Sequence, residues 1–255
     1  MEKIVSDLAG KTYLITGASS GIGAATALAL GRVGAHVVLA ARREEACAAL
    51  AQEIVASGGK ALVLKMDVSV EADVRHAVAA TVAHFGRIDG AFNNAGLLGV
   101  TAPLHEGGSA DFDAVMRTNV SGVYWSMKYQ IEAMRKTGGG AIVNTASIGA
   151  QVGFATLSPY VTSKHAVMGL TRTAALEYFQ QGIRINAVCP GPVATAMADL
   201  GFGSRANLEG AMASSPAGRA GRSDEIAGPV LFLLSSAASY ISGHGLVVDG
   251  GYTVQ

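Results

Sequence analysis

Seven short runs of this chain are nearly unbroken in apolar residues, and helical patterns fill the intervals between them. The runs are Thr12–Thr16, His36–Ala41, Ala61–Met66, Ile88–Asn93, Ala141–Ala146, Ile183–Val188 and Gly245–Val248, all rich in Val, Ile and Leu. A strand wetted on one face alternates polar with apolar, whereas a strand covered on both faces does not. These runs therefore read as parallel strands covered on both sides. Ile22, Ala25, Ala29 and Val33 share one face of a helix after the first run. Further helices are expected at Glu44–Ser57, Val70–Phe85, Asp111–Lys136, Tyr160–Gln181 and Asp224–Ser235. Alternation of this kind predicts an α/β fold, a doubly wound parallel sheet of about seven strands flanked by helices. No composition break or Pro/Ser linker divides the chain, so residues 1–255 read as a single domain. Only Pro190–Ser223 falls outside the alternation. A long connection in a compact domain is a functional lid or is disordered, and 190–223 is read as a substrate lid.

Composition removes several function classes. Lys plus Arg and Asp plus Glu number 19 each, so the net charge is zero. Such a chain carries no field that would gather nucleic acid or an anionic membrane. The two long charge-free stretches, Thr137–Ser163 and Ile226–Val248, are broken by Gly, Ser, Thr or Pro and do not read as membrane spans. Cys47 and Cys189 lack metal-ligand spacing and read as buried, reduced thiols, with no metal site. The first ten residues hold Glu2, Lys3 and Asp7 and no secretory h-region, so a cytoplasmic location is expected. Only 15% of residues are charged, and that content is low for the surface of a folded monomer of this size, about 10,000 Å². Some of that surface is therefore expected to lie between subunits.

The first strand runs into Thr16-Gly17-Ala18-Ser19-Ser20-Gly21-Ile22-Gly23 and then a helix. A strand, a glycine-rich turn and a helix start form an anion site, where free N–H groups and the positive helix end face a phosphate. Glycines suit positions where a side chain would block a pyrophosphate. Ser147 directly follows the fifth strand, at the edge where open α/β sheets bind ligands. Tyr160 and Lys164 lie four apart on one helix and so share a face. An ammonium beside a phenol favours the phenolate and tunes it toward acid–base work near neutral pH. His165 lies about 100° round that helix and reads as packing or surface.

These residues resemble the short-chain dehydrogenase/reductase family over essentially the whole length. Thr16-Gly17-x-x-x-Gly21-x-Gly23 matches its cofactor signature, and Asn93-Asn94-Ala95-Gly96 its motif after the fourth strand. Asn119, Ser147, Tyr160 and Lys164 match its catalytic tetrad, and Pro190-Gly191 and Val248-Asp249-Gly250-Gly251 its later landmarks. The resemblance implies a Rossmann-type fold and hydride transfer between a nicotinamide cofactor and a ketone or secondary alcohol. Tyr160 would give or take the proton, and Ser147 would donate a hydrogen bond to the reacting oxygen. Lys164 would hold the nicotinamide ribose, and Asn119 a water that relays protons to Lys164. Cofactor contacts would come from Gly17, Ser19, Ser20, Gly21, Ile22 and Gly23, and from Arg42, Arg43, Asp67 and Val68. Asn94, Ala95, Gly96, Tyr160, Lys164, Pro190, Gly191, Val193 and Thr195 would complete them.

The second strand ends Ala40-Ala41-Arg42-Arg43, with no carboxylate to bind a ribose 2′-hydroxyl. An arginine there suits a 2′-phosphate, so NADP(H) is favoured and NAD(H) is the other candidate. Leu97, Leu98, Gln151, Val152, Phe154, Val193, Met197, Leu200, Phe202 and Met212 read as pocket walls for a small hydrophobic substrate. A first alternative is a 3-oxoacyl-[acyl-carrier-protein] reductase, whose acidic partner would want basic residues such as Arg205, Arg219 and Arg222. Leu176-Glu177 stands where that group commonly shows Arg-Glu, which lowers this reading. The other alternative is a non-catalytic cofactor-binding scaffold. Family members usually pair through two long helices, here Asp111–Lys136 and Tyr160–Gln181, so a homotetramer is expected, with the tail Leu246–Gln255 in a further contact.

Overall fold

The computed structural model describes residues 6–254. Its strands are β1 (Thr12–Thr16), β2 (His36–Ala41), β3 (Lys60–Lys65), β4 (Gly90–Asn93), β5 (Gly140–Thr145), β6 (Ile183–Pro190) and β7 (Gly245–Val248). All pair in parallel in one sheet of order β3-β2-β1-β4-β5-β6-β7. The helices are α1 (Gly21–Arg32), α2 (Glu44–Ala56), α3 (Glu71–Phe85), α4 (Ser109–Met116), α5 (Gly122–Lys136), α6 (Ser158–Tyr178), α7 (Ala196–Phe202), α8 (Arg205–Met212) and α9 (Ser223–Leu234).

Adjacent strand residues face opposite layers, so the inner strands β1, β2, β4, β5 and β6 are covered on both faces, whereas the edge strands β3 and β7, expected to be covered alike, are only partly buried. Leu14, Val38, Ile142 and Ile185 pack under α3, α5 and α6, through Val78, Met127, Met134 and Val167 among others. Tyr13, Ile15, Val37, Phe92 and Val143 pack on the other face under α1, α2 and α9, through Leu30, Ile54 and Val230. Each such side chain contributes about 1.5–3 kcal/mol when fully buried.

Two departures from the expected elements matter for the site. The expected helix Asp111–Lys136 begins at Ser109 and is interrupted by a π-helical turn, Arg117–Ser121. Such turns insert a residue into an α-helix and re-aim side chains, often at functional sites. The 190–223 segment also holds two short helices, capped by Thr195, which accepts from the Ala198 amide, and Ser204, which accepts from Asn207. Beneath the site, the buried amides of Asn93, Gln130 and Asn144 bond to one another and on to Thr171. This network ties the ends of β4 and β5 to α5 and α6, and truncating any member leaves a buried polar group unpaired.

Candidate active site

A cleft of about 680 Å³ opens at the carboxyl ends of the strands. Strand β1 lies between β2 and β4, so successive connections leave in opposite directions and a crevice forms there. Its walls come from the turn after β1, the ends of β2 and β3, the loops after β4 and β5, the start of α6 and the 190–223 segment. Thr16 Oγ1 accepts from the amides of Asn94 and Ala95 at 2.9 and 3.0 Å, fastening the β1 end to the β4 end.

The glycines of the turn have separate reasons. A Cβ at Gly17 would lie 2.8 Å from Ala95 Cα, and one at Gly23 would lie 2.5 Å from the Gly17 carbonyl oxygen. Both are demanded by the protein's own packing. Gly21 has φ +57°, a left-handed conformation that leaves the mouth of the turn without a side chain. The cradle so formed fits the pyrophosphate of a dinucleotide at the N-terminus of α1. Arg43 extends over this turn and donates to Ser20 Oγ at 2.7 Å and Ser19 Oγ at 3.1 Å. Arg42 is exposed at the cleft edge beside Ala41, where no carboxylate stands. Burial raises the Asp67 carboxyl, but hydrogen bonds from the Ser69 hydroxyl and amide and the nearby Arg42 charge bring it below its ordinary value.

At the other end, Lys164 is buried and its Nζ donates to the Thr145 carbonyl at 2.8 Å. The ammonium lies 5.4 Å from the centre of the Tyr160 ring. Burial lowers Lys164 from its ordinary 10.5 to about 8. Burial also raises Tyr160, against a smaller lowering from the neighbouring Ser147 hydroxyl. The lowering of the phenol is expected from the Lys164 ammonium and a positive nicotinamide ring together; in the protein alone, desolvation of the phenolate sets the direction. Ser147 Oγ accepts from the Gly149 amide at 3.0 Å, which leaves its hydrogen available to the cleft.

Asn119 sits in the π-helical turn, fully buried behind the wall. Its Oδ1 accepts from the Leu97 amide at 2.7 Å. Its Nδ2 donates to the Leu97 carbonyl at 2.8 Å and Ser163 Oγ at 3.0 Å. It therefore joins the loop after β4 to α6. Gly96 leaves a gap beside it, since a Cβ there would lie 3.3 Å from Asn119 Oδ1 and 3.8 Å from Lys164 Nζ.

Lys164 gives a prediction. Between its folded value of about 8 and its ordinary 10.5 the unfolded chain binds more protons, so wild-type stability rises with pH. Below the folded value the buried charge costs on the order of 3 kcal/mol, offset partly by the bond to Thr145. Lys164→Met should therefore melt higher than wild type near neutrality, while losing activity. The gap should narrow as pH climbs through the folded value. Melting temperatures across that range check this, and a gap independent of pH would contradict it.

Of the expected site residues, all line the cleft except Gly23 and Asn119, which stand one layer behind it. Four expected wall residues do not line it. Gln151 and Val152 are exposed outside, Leu200 is 77% exposed on α7, and Met212 is buried beneath α8. His165 is exposed, with Nδ1 against the Val161 carbonyl. Residues not anticipated from the sequence include Thr101, Thr156, Leu157, Gly201 and Tyr252. Tyr252 lies in a tail that carries no periodic signal. Among the described residues there is no metal-binding cluster, and no helix is long and apolar enough to cross a membrane. Both cysteines are free and buried.

A dinucleotide cradle at a Rossmann-type switch point, with Tyr, Lys and Ser converging at its far end, defines a nicotinamide-dependent oxidoreductase. A family profile described as enoyl-(acyl carrier protein) reductase matches residues 17–253. Cyclohexanol dehydrogenase of Acinetobacter sp. (strain SE19) is 44% identical over 255 residues, 99% of either chain. The crystal structure of levodione reductase superposes with a TM-score of 0.94 at 38% identity, covering 97% of this chain and 99% of that one. A gluconate 5-dehydrogenase from Burkholderia cenocepacia J2315, in complex with NADP and tartrate, gives 0.92 at 34% identity over the whole of both chains. The chain belongs to the short-chain dehydrogenase/reductase family.

Proposed function

We propose that the protein is an alcohol dehydrogenase/ketoreductase that interconverts a small, uncharged, hydrophobic ketone and its secondary alcohol, with NADP(H) as the favoured cofactor. The observation that carries this is the substrate end of the cleft. Its walls are Leu97, Leu98, Phe154, Leu157, Met197 and Phe202, and among the described residues the one charged side chain that lines this end of the cleft is Lys164. Lys164 is engaged by the Thr145 carbonyl and assigned to the cofactor ribose, so a carboxylate or phosphate on the substrate would find no free partner there. The cyclohexanol relative supports a compact alicyclic substrate.

Held in this cleft, a nicotinamide would supply a hydride to the carbonyl carbon in reduction and take one from the alcohol carbon in oxidation. Tyr160 gives the proton to the oxygen in reduction and takes it back from the alcohol in oxidation. Ser147 donates to the oxygen as negative charge grows there. Lys164, tuned to about 8, is charged at neutrality yet close enough to exchange a proton. Asn119 holds the wall beside this pair. Residues 190–223 close over the substrate as a lid on a single domain. Mixing the protein with reduced cofactor and cyclohexanone tests the reading. Loss of reduced-nicotinamide absorbance is expected, and turnover would also exclude a non-catalytic scaffold.

The carrier-protein alternative is disfavoured by charge pairing. Arg205 is bonded to Asp199, Arg219 to Glu225 and Arg222 to Asp224, so these arginines form no free basic patch. Leu176 is 87% exposed where an arginine would be wanted.

The assembly proposed is a cytoplasmic homotetramer. Phe112, Tyr124 and Leu176 are exposed on α4, α5 and α6, and Tyr240 is 92% exposed. Such apolar surface suits stable subunit contacts. Light scattering at micromolar concentration should give about four times the 25.8 kDa chain mass, and a monomer mass would refute it.

A further inference from the structure

The loop after β4 has no regular secondary structure over residues 97–102, yet it is fastened at three points. Asn119 holds both polar groups of Leu97. The Asp111 carboxylate accepts from the Val100 amide with both oxygens, at 3.1 and 3.0 Å. The Ala102 amide donates to the Thr156 carbonyl at 3.0 Å. Thr156 is the one non-glycine residue with positive φ, +68°, among those described. Gly99, at φ +82°, lets the loop press on α4, since a Cβ there would lie 2.7 Å from Val115 Cγ2 and 2.9 Å from Asp111 Oδ2. Leu98, carried between the first two fastenings, reaches the 190–223 segment. A Cβ at Gly201 of α7 would lie 3.1 Å from Leu98 Cδ2. Both residues line the cleft.

We infer that Leu98 and Gly201 form a size gate for the substrate, with Asp111 as the positioning residue that fixes Leu98. The inference deepens the ketone reading of this cleft and rests on it. Leu98 bridges the fixed loop and α7, so the space beneath admits a compact ring and rejects bulk beyond it. Gly201 is the matching absence, because a Cβ there would sit 3.1 Å from Leu98 Cδ2, closer than ordinary contact, so that Leu98 or α7 must yield by a few tenths of an ångström. Asp111 touches no reacting atom. It acts by holding an otherwise irregular segment in one shape, which the loop's own backbone bonds do not do.

The test compares reduction of cyclohexanone with that of 4-tert-butylcyclohexanone. Leu98→Ala and Asp111→Ala should each raise the bulky-to-compact ratio of kcat/KM about tenfold, the scale of a small apolar contact in a pocket, mostly through KM. Asp111→Asn keeps one acceptor for the Val100 amide and should restore most of the wild-type ratio, which a purely structural role would not require. A second readout needs no turnover. Trypsin cleaves after Arg205, at the start of α8 and bonded to Asp199 of α7. Gly201→Ala should speed this cleavage, and Leu98→Ala in the same chain should reverse it, as coupled neighbours do. Ratios within about twofold of wild type in both Leu98→Ala and Asp111→Ala would overturn the gate. So would unchanged cleavage in Gly201→Ala. If wild type reduces neither of these nor any of a panel of neutral ketones, the ketone reading fails, and the cleavage arm alone then decides whether Leu98 and Gly201 are coupled.

Discussion

Tyr160→Phe is expected to lose about 10²–10⁴ of turnover, the usual contribution of a positioned acid–base group, while still binding cofactor. The substitution removes one oxygen and keeps the ring. The ring's packing near Lys164 and the α6 backbone are untouched, and the cradle proposed to hold the dinucleotide is built elsewhere, from Gly17, Gly21 and Asn94. Turnover and cofactor affinity should therefore separate. Steady-state kcat with a ketone and fluorescence titration with reduced cofactor measure the two. Lys164→Ala should behave differently and weaken both, since Lys164 is assigned a double role. A Tyr160→Phe protein retaining more than about a tenth of wild-type kcat would remove Tyr160 from the proton step.

The second large effect concerns which cofactor binds. If Arg42 meets the 2′-phosphate, NADPH should bind about ten- to a hundredfold tighter than NADH, the worth of one charge-assisted contact of about 1.5–3 kcal/mol. Arg42→Ala should erase most of that difference. Arg43 is already committed to Ser19 and Ser20, so Arg43→Ala should loosen the turn and weaken both cofactors. Ala41→Asp should go furthest, because a carboxylate at the end of β2 repels the phosphate and accepts from the ribose hydroxyls. Fluorescence titration of the four proteins with NADPH and NADH decides. Equal or tighter NADH binding by wild type would mean that the β2 end does not read the phosphate.

The parts legible in the sequence were those where local physics fixes the residue type. Strand interiors covered by helices are mostly apolar, and β1, β2 and β7 begin and end where that pattern does. The other strands shift by a residue or two, because apolar residues such as Met66, Ile88 and Ala146 continue the pattern past the ends of the ladder. The break between α4 and α5 was not legible, since a π-helical turn disturbs the helical period too little to show. Helices α7 and α8 were missed because seven or eight residues make no lasting apolar stripe. Within the site, the glycine turn and the Tyr160–Lys164 pair stand out by spacing along the chain. Asp111, Thr156, Gly201 and Tyr252 do not, because what they touch is set by tertiary approach. Gln151 and Val152 show the converse, apolar or amide residues near Ser147 in sequence that turn outward in space.

On the proposed function, this cleft moves a hydride and a proton between cofactor and a neutral ketone. The most direct measurement of this is product stoichiometry. Wild-type protein with NADPH and cyclohexanone should form one cyclohexanol for each cofactor oxidised, with Tyr160→Phe forming almost none. Tight NADPH binding with no cyclohexanol formed, from this ketone or a panel of neutral ketones, would contradict it.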